Sequence, residues 1–418
     1  MQKSKYIPLL IITILINTII CTYSLSYEDS TSYIWSSNLG TIETSSPIYS
    51  VETNSEIENN NSLNLESGAA ILIEQSTGQI LYSHNSHEQL RPASVTKIMS
   101  ILLIMEQIDS GNLSYTDTIS CSETARSMGG SQIWLDPRET LTVDEMLKAI
   151  CVVSANDCVV AMAEHIAGSE EAFVQMMNDK AKKLGMNDTT FKNCHGIDED
   201  GHVTSAYDIA LMSRELLTKH PDITKYTTIW MDTLRDGKSA LSNTNKLVRN
   251  YSGCTGLKTG STSLALFNLS ASATRDGLSL IAVIMKAPTS ALRFSNASTL
   301  LDYGFNTYSY KSFGSQGDVV KNINVTKGVS TNVNAVYENS PSFLVKKGEE
   351  SNITYEISLK DSVQAPIEKG QQLGTITYSL NGSNISTVNL VAENSIEKID
   401  LLNMSKFIFN NWFNLLRA

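Results

Sequence analysis

Arg91-Pro-Ala-Ser-Val-Thr-Lys97 is the stretch on which the reading of this chain turns. Proline suits the first turn of a helix, where its missing N–H costs nothing. Ile98, Leu102, Ile104 and Met105 then recur at helical spacing, so the pattern predicts a helix over 92–107 with one apolar face buried. Ser94 lies in its first turn, where backbone N–H groups and the helix dipole favour a developing negative charge. Lys97 is three residues on, on the same face, so its nitrogen reaches the hydroxyl one turn back. A nucleophile beside its own base is the core of covalent acyl transfer. An ordinary Lys, with a pKa near ~10.4, is protonated at neutral pH and cannot accept that proton. Burial or a neighbouring cation must lower it.

Two further motifs supply what is missing. Ser154-Ala-Asn156 falls between helical patterns at 142–150 and 157–167, where a loop would present a hydroxyl for proton relay and an amide for a substrate backbone. Lys258-Thr-Gly260 opens a β-prone region, and Lys258 is a cation that can depress Lys97 and hold a substrate anion. Each motif alone recurs by chance in a Ser-rich chain. Together, in this order, they describe one Ser-Lys acyl-transfer site completed by an oxyanion hole.

The joint pattern resembles the serine-type D-alanyl-D-alanine carboxypeptidases, the low-molecular-mass penicillin-binding proteins of bacterial cell-wall metabolism. The likeness runs from about residue 67 to the end. Asn156-Asp-Cys-Val-Val-Ala-Met-Ala-Glu-His165, Asn193-Cys-His-Gly196, Ser205-Ala-Tyr-Asp208, Gly256-Leu-Lys-Thr-Gly260 and Ser272-Ala-Thr-Arg-Asp-Gly277 are similar to the family's segments around the motifs. Ser261 stands where the family usually carries an aromatic or His after Lys-Thr-Gly. The resemblance implies an α+β fold: a penicillin-binding/β-lactamase-like transpeptidase domain, with an antiparallel sheet and a helical lobe, followed by a small all-β domain. It implies Ser94, Lys97 and Ser154 as catalytic residues and Asn156, Lys258, Thr259, Gly260, Ser261 and Arg293 as substrate-binding residues. The Ser94 and Ser261 amides would form the oxyanion hole, and Arg293 would lie near the substrate's terminal carboxylate, which suits a guanidinium fork. The implied substrate is a peptidoglycan stem pentapeptide, with β-lactam antibiotics as inhibitors and no cofactor. An endopeptidase acting on cross-links, a class A β-lactamase and a non-catalytic wall-binding protein are the alternatives. Residues 189–196 offer no Glu at the spacing a lactamase uses to activate its deacylating water, so slow deacylation is expected.

The rest of the chain sets the context. At 418 residues with 41% apolar content, two or three folded units are expected. The net charge of −11 argues against nucleic acid, which needs a basic face. The six His residues show no paired metal-ligand spacing, so a zinc hydrolase is not expected. Lys3 and Lys5 precede an apolar run over 7–20 that reads as a signal peptide, 1–26. Residues 27–66 are rich in Ser, Thr, Asn and Glu and read as a disordered linker or tether. Residues 67–310 form the expected catalytic domain, and 311–394 alternate in short β-prone runs, a β-sandwich-like domain. Residues 395–418 place Leu401, Leu402, Phe409, Trp412, Phe413 and Leu416 on one helical face with Lys398, Lys406 and Arg417 at hand, as in a helix lying at a membrane surface. Beyond the leader the cysteines are 121, 151, 158, 194 and 254, an odd count that defines no disulfide framework, and free thiols are expected. The expected address is extracytoplasmic, on the outer face of the cytoplasmic membrane.

Overall fold

The computed structural model describes residues 63–400, 404 and 405. The expected signal peptide, nearly all of the linker and most of the expected C-terminal helix lie outside the described residues.

The chain opens with the hairpin β1 (Ala69–Glu74) and β2 (Ile80–His84). A helical lobe follows: α1 (Lys97–Asp109), α2 (Val143–Val152), α3 (Asn156–Ala167), α4 (Glu170–Lys183) and α5 (Ala206–Lys219). Two short hairpins sit within this stretch, β3 (Thr118–Ser120) with β4 (Thr140–Thr142) and β5 (Met231–Leu234) with β6 (Ser239–Ser242). The chain then returns as β7 (Cys254–Thr262), β8 (Leu266–Arg275) and β9 (Leu278–Ala287) before α6 (Ser290–Thr307). These strands make one antiparallel five-stranded sheet in the order β2-β1-β9-β8-β7. The β-prone region opened by Lys258 is therefore two strands, β7 and β8. Lys258 lies on its own nine-residue strand, and Leu264 sits in the turn before β8, 60% exposed.

The sheet is buried on both faces, and the period-2 alternation of β1 shows why. Ala69, Ile71 and Ile73 pack with the helical lobe, whereas Ala70 and Leu72 pack under α6. Between the layers runs α1, whose residues Lys97 to Met105 are all buried. A helix with one apolar face would leave the other wet, and here the lobe and the sheet close over it from all sides. That enclosure takes Lys97 out of water. Local chemistry fixes the neighbouring helices: Thr142 and Glu145 form a reciprocal capping box at the start of α2, and Ser205 and Thr289 cap α5 and α6.

The appendage starts where α6 ends. β10 (Tyr308–Ser312) pairs with β13 (Ser342–Lys346), so the first appendage strand straddles the expected boundary at 311. A six-stranded sheet holds β11 (Val319–Thr326), β12 (Asn332–Tyr337), β14 (Ile353–Leu359), β15 (Ser362–Gln364), β16 (Gln372–Leu380) and β17 (Ser383–Ala392) in the order β14-β16-β17-β12-β11-β15. Its core centres on Tyr378, with ring contacts to Phe313 and Phe343 and its hydroxyl 3.0 Å from that of Tyr337. Backbone pairing continues past 394: Ile396 bridges Ile367, and the Ile399 N–H donates to Lys327 O. The helix expected from 395 does not begin there, because Ile396 is buried in this core. All five described cysteines are free, four of them buried. Cys151 and Cys158 sit on successive helices, and burial pushes the Cys151 thiol up to about 12.

The seat of α6 gives a stability test. A Cβ on Gly304 would stand 2.5 Å from Leu280 Cδ1 and 3.0 Å from Leu72 Cδ2. Gly304→Val is expected to cost about 2 kcal/mol by overpacking, read as a lowered denaturation midpoint.

Candidate active site

The site is assembled where the α1 entry, the α2–α3 junction, the loop at 193–197 and β7 meet. Ala93–Thr96 form a single 3-10 turn leading into α1, so Ser94 precedes the α-helix by one turn of tighter backbone. Ser94 is half-buried, whereas Lys97 is fully buried. Two glycines permit the approach of main chain to this turn. A Cβ on Gly196, which has φ +90°, would lie 1.9 Å from Ala93 O, and one on Gly260 would lie 2.9 Å from Ser94 N. Neither position accepts a side chain without moving the nucleophile. Asn268 of β8, fully buried, donates from Nδ2 to Arg91 O at 2.9 Å and Pro92 O at 3.0 Å, tying the turn to the sheet.

Lys97 has three neighbours: Asn156 Oδ1 at 2.6 Å, His195 O at 2.7 Å and Ser94 Oγ at 3.2 Å. The first two are carbonyl oxygens and can only accept. A neutral amine has two N–H donors and one lone pair, so donating to both carbonyls leaves the lone pair for the Ser94 hydroxyl. Electrostatics favour that neutral form. Burial, and then the Lys258 ammonium, hold Lys97 well below the ordinary lysine range. Lys258 is itself buried, donates to Thr259 O at 3.0 Å, and is pushed down to about 7, mainly by burial.

The structure brings most of the sequence-selected residues together, with differences in detail. Ser154 projects from the three-residue break between α2 and α3 with φ +66°. Its Oγ is buried and has no protein hydrogen-bond partner, so the hydroxyl expected to relay protons is bonded to neither Lys97 nor Lys258. Asn156 is the first residue of α3 rather than part of a loop. Its amide is committed, Oδ1 to Lys97 and Nδ2 to Gly129 O at 2.7 Å. Thr259 donates to Thr244 Oγ1 at 2.7 Å, and Ser261 is exposed beyond Gly260 on β7. Arg293, on α6, donates from Nη1 to Gly260 O at 3.2 Å and Asn268 O at 3.3 Å, so it braces the third motif from within.

Several contributors were invisible in the sequence. The His195 side chain reads as ordinary polar packing, and its role here is through its carbonyl, which no side-chain pattern announces. The loop bearing it is held by Glu170, whose Oε1 accepts from Cys194 N at 3.0 Å, and by Ser100 Oγ donating to Cys194 O at 2.6 Å. The His195 ring is neutral, lowered to about 3 by burial and by Lys97. Asp157 accepts from the Ile133 and Leu135 amides and so fixes the segment that receives Asn156. An Asn inside an apolar strand and an Asp directly after a motif Asn were the available signals for Asn268 and Asp157.

The D-alanyl-D-alanine carboxypeptidase family profile matches residues 54–289, more than half of the chain and all three motifs. The chain belongs to this family. Residues 308–398 match the C-terminal domain of penicillin-binding protein 5, in register with the appendage described above. The D-alanyl-D-alanine carboxypeptidase DacF of Bacillus subtilis is 44% identical over 351 residues, covering 83% of this chain and 90% of that protein. Penicillin-binding protein 5 from Haemophilus influenzae has a similar structure, with a TM-score of 0.68 at 29% identity over 80% of this chain and 98% of its own. Penicillin-binding protein D2 from Listeria monocytogenes, solved in its ampicillin-bound form, matches 58% of this chain and 98% of its own, at 30% identity and a TM-score of 0.53. This carboxypeptidase-family chain is thus a serine hydrolase of the penicillin-binding type, with the α+β domain and all-β appendage that its sequence led one to expect.

The electrostatic arrangement makes a signed prediction. Lys258 lowers Lys97, so Lys258→Met is expected to raise the Lys97 pKa. Lys97 then loses its proton only at higher pH, and the acidic limb of the acylation rate moves upward. Stopped-flow acylation by a penicillin across pH reads the limb position independently of the overall rate loss.

Proposed function

We propose that this enzyme removes the terminal D-alanine from peptidoglycan stem pentapeptides through an ester on Ser94. The observation that carries the assignment is the buried Lys97 Nζ, 2.6 Å from Asn156 Oδ1, 2.7 Å from His195 O and 3.2 Å from Ser94 Oγ; a neutral amine that donates to the two carbonyls turns its lone pair to the serine. Lys97 takes the hydroxyl proton as Ser94 attacks the carbonyl between the two D-alanines. The oxyanion that forms is stabilised by the Ser94 amide and the Ser261 amide; losing one such donor typically costs about 3 kcal/mol of barrier. The close seat of Gly260 against Ser94 N supports pairing these two amides. Ser154, buried beside the motif and free of other partners, returns a proton to the departing D-alanine. Asn156 orients Lys97 in the resting state and turns to the peptide when substrate displaces it. Lys258 and Thr259 meet the substrate carboxylate, with Arg293 fixing the Gly260 carbonyl beneath them. Water then releases the product acid and regenerates the hydroxyl.

A penicillin enters by the same route and stays as an ester. Labelling by a fluorescent penicillin, together with D-alanine release from a pentapeptide ending in D-Ala-D-Ala, is expected for the wild type and absent in Ser94→Ala. Labelling that survives in the variant would overturn Ser94 as the nucleophile.

We place the reaction outside the cytoplasmic membrane, where the cell-wall substrate is, with 27–66 as a spacer and the apolar C-terminal segment as a surface anchor. No helix among the described residues is long and apolar enough to cross a membrane. The sequence beyond Asp400 supports a helix lying at a surface instead. Liposome flotation is expected to carry the chain with the vesicles and to lose it when residues 401–418 are removed, with penicillin labelling unchanged.

A further inference from the structure

Trp134 is the most exposed large apolar side chain among the described residues, at 76%, and it holds φ +54°. A bulky residue in that region is strained and persists only where its surroundings impose it. Here they do. Ile133 and Leu135 on either side are buried, and their amides donate to the same Asp157 carboxylate at 3.1 Å. Arg235, paired with Glu139, donates to Ile133 O at 3.0 Å and Trp134 O at 3.4 Å. With its amide oriented to satisfy both neighbours, Gln132 accepts from Trp134 Nε1 at 3.3 Å and donates to Met128 O at 2.8 Å. The indole is thus held outward, its N–H taken, with only its flat apolar faces on offer.

Its place relative to the nucleophile is fixed by the same contacts. Asp157 follows Asn156, and Asn156 joins Lys97 to Gly129 on the Trp134 segment. Covalent and hydrogen-bond lengths along this path put Trp134 within roughly 20 Å of Ser94 Oγ. An extended five-residue stem spans ~17 Å. The scissile bond is at one end of that stem and the amino sugar of the glycan strand is at the other.

We propose that Trp134 is a glycan subsite, stacking on the apolar face of the sugar ring that carries the stem peptide. An aromatic face with no free polar group matches the C–H face of a pyranose, and a preset side chain loses little entropy on binding. This inference rests on the carboxypeptidase reading of Ser94. It makes the enzyme favour stems attached to glycan over free peptide.

The test compares D-alanine release from a pentapeptide ending in D-Ala-D-Ala with release from the same pentapeptide on its amino-sugar disaccharide. Wild type is expected to prefer the sugar-bearing substrate by about tenfold in kcat/KM, the size of one good aromatic contact. Trp134→Gly should abolish that preference, keep the bare-peptide rate within about twofold, and raise the unfolding midpoint, because Gly relieves the positive φ. Trp134→Phe should retain part of the preference. Equal loss on both substrates, or a preference that survives Trp134→Gly, overturns the subsite while leaving the carboxypeptidase reading intact. A wild type that releases D-alanine from neither substrate overturns that reading and the subsite with it.

Discussion

The burial of one lysine amine organises this molecule. In the base role proposed for it, Lys97 must be neutral near neutral pH, and exclusion of water and a neighbouring cation each favour that form. Each major element serves one of these conditions. The sheet and the helical lobe enclose α1, so that a helix carrying a charged residue is buried along nine consecutive positions. β7 carries Lys258, whose ammonium depresses Lys97 further. The loop at 193–197 and the start of α3 provide two carbonyl oxygens that consume the amine's donors. A protonated ammonium would have three N–H donors and no lone pair for the serine.

The groups around Lys97 differ in how fully their hydrogen bonds are used within the protein. Lys97 is held by Asn156 Oδ1 and His195 O, Asn268 by the Arg91 and Pro92 carbonyls, and Gly196 and Gly260 lie against the main chain of Ala93 and Ser94. Ser154 and Asn156 differ. One has no partner and the other spends its amide on groups within the protein. In the roles proposed for them, both groups would make their catalytic contacts only once substrate is bound, in keeping with the looser hydrogen bonds typical of unliganded active sites.

Much of this was legible in the sequence because the chemistry is local. Ser94 and Lys97 are one turn apart, so their contact follows from helical geometry, and the order of the other motifs gave the family and the α+β class. The helices at 142–150 and 157–167 emerged within one or two residues because apolar spacing marks them there. The division of the third-motif region into β7 and β8 was not legible. Ser263, Leu264 and Ala265 form a turn without Gly or Pro, held by Ala265 N donating to Thr262 Oγ1. The start of the appendage at Tyr308 was missed because α6 passes into β10 with no polar linker to mark the change. Contributions made by main chain, such as His195 O, leave no trace in residue identity, and the Asn268 clamp joins residues 176 and 177 positions apart.

The two glycines against the nucleophile turn have a consequence for how the site can diversify. With backbone packed on backbone at Gly196 and Gly260, neither of these two positions beside Ser94 can gain a side chain without displacing the turn. Variation is easier at Ser261, the exposed residue next to Gly260 on β7, where a new side chain meets solvent rather than the serine's turn.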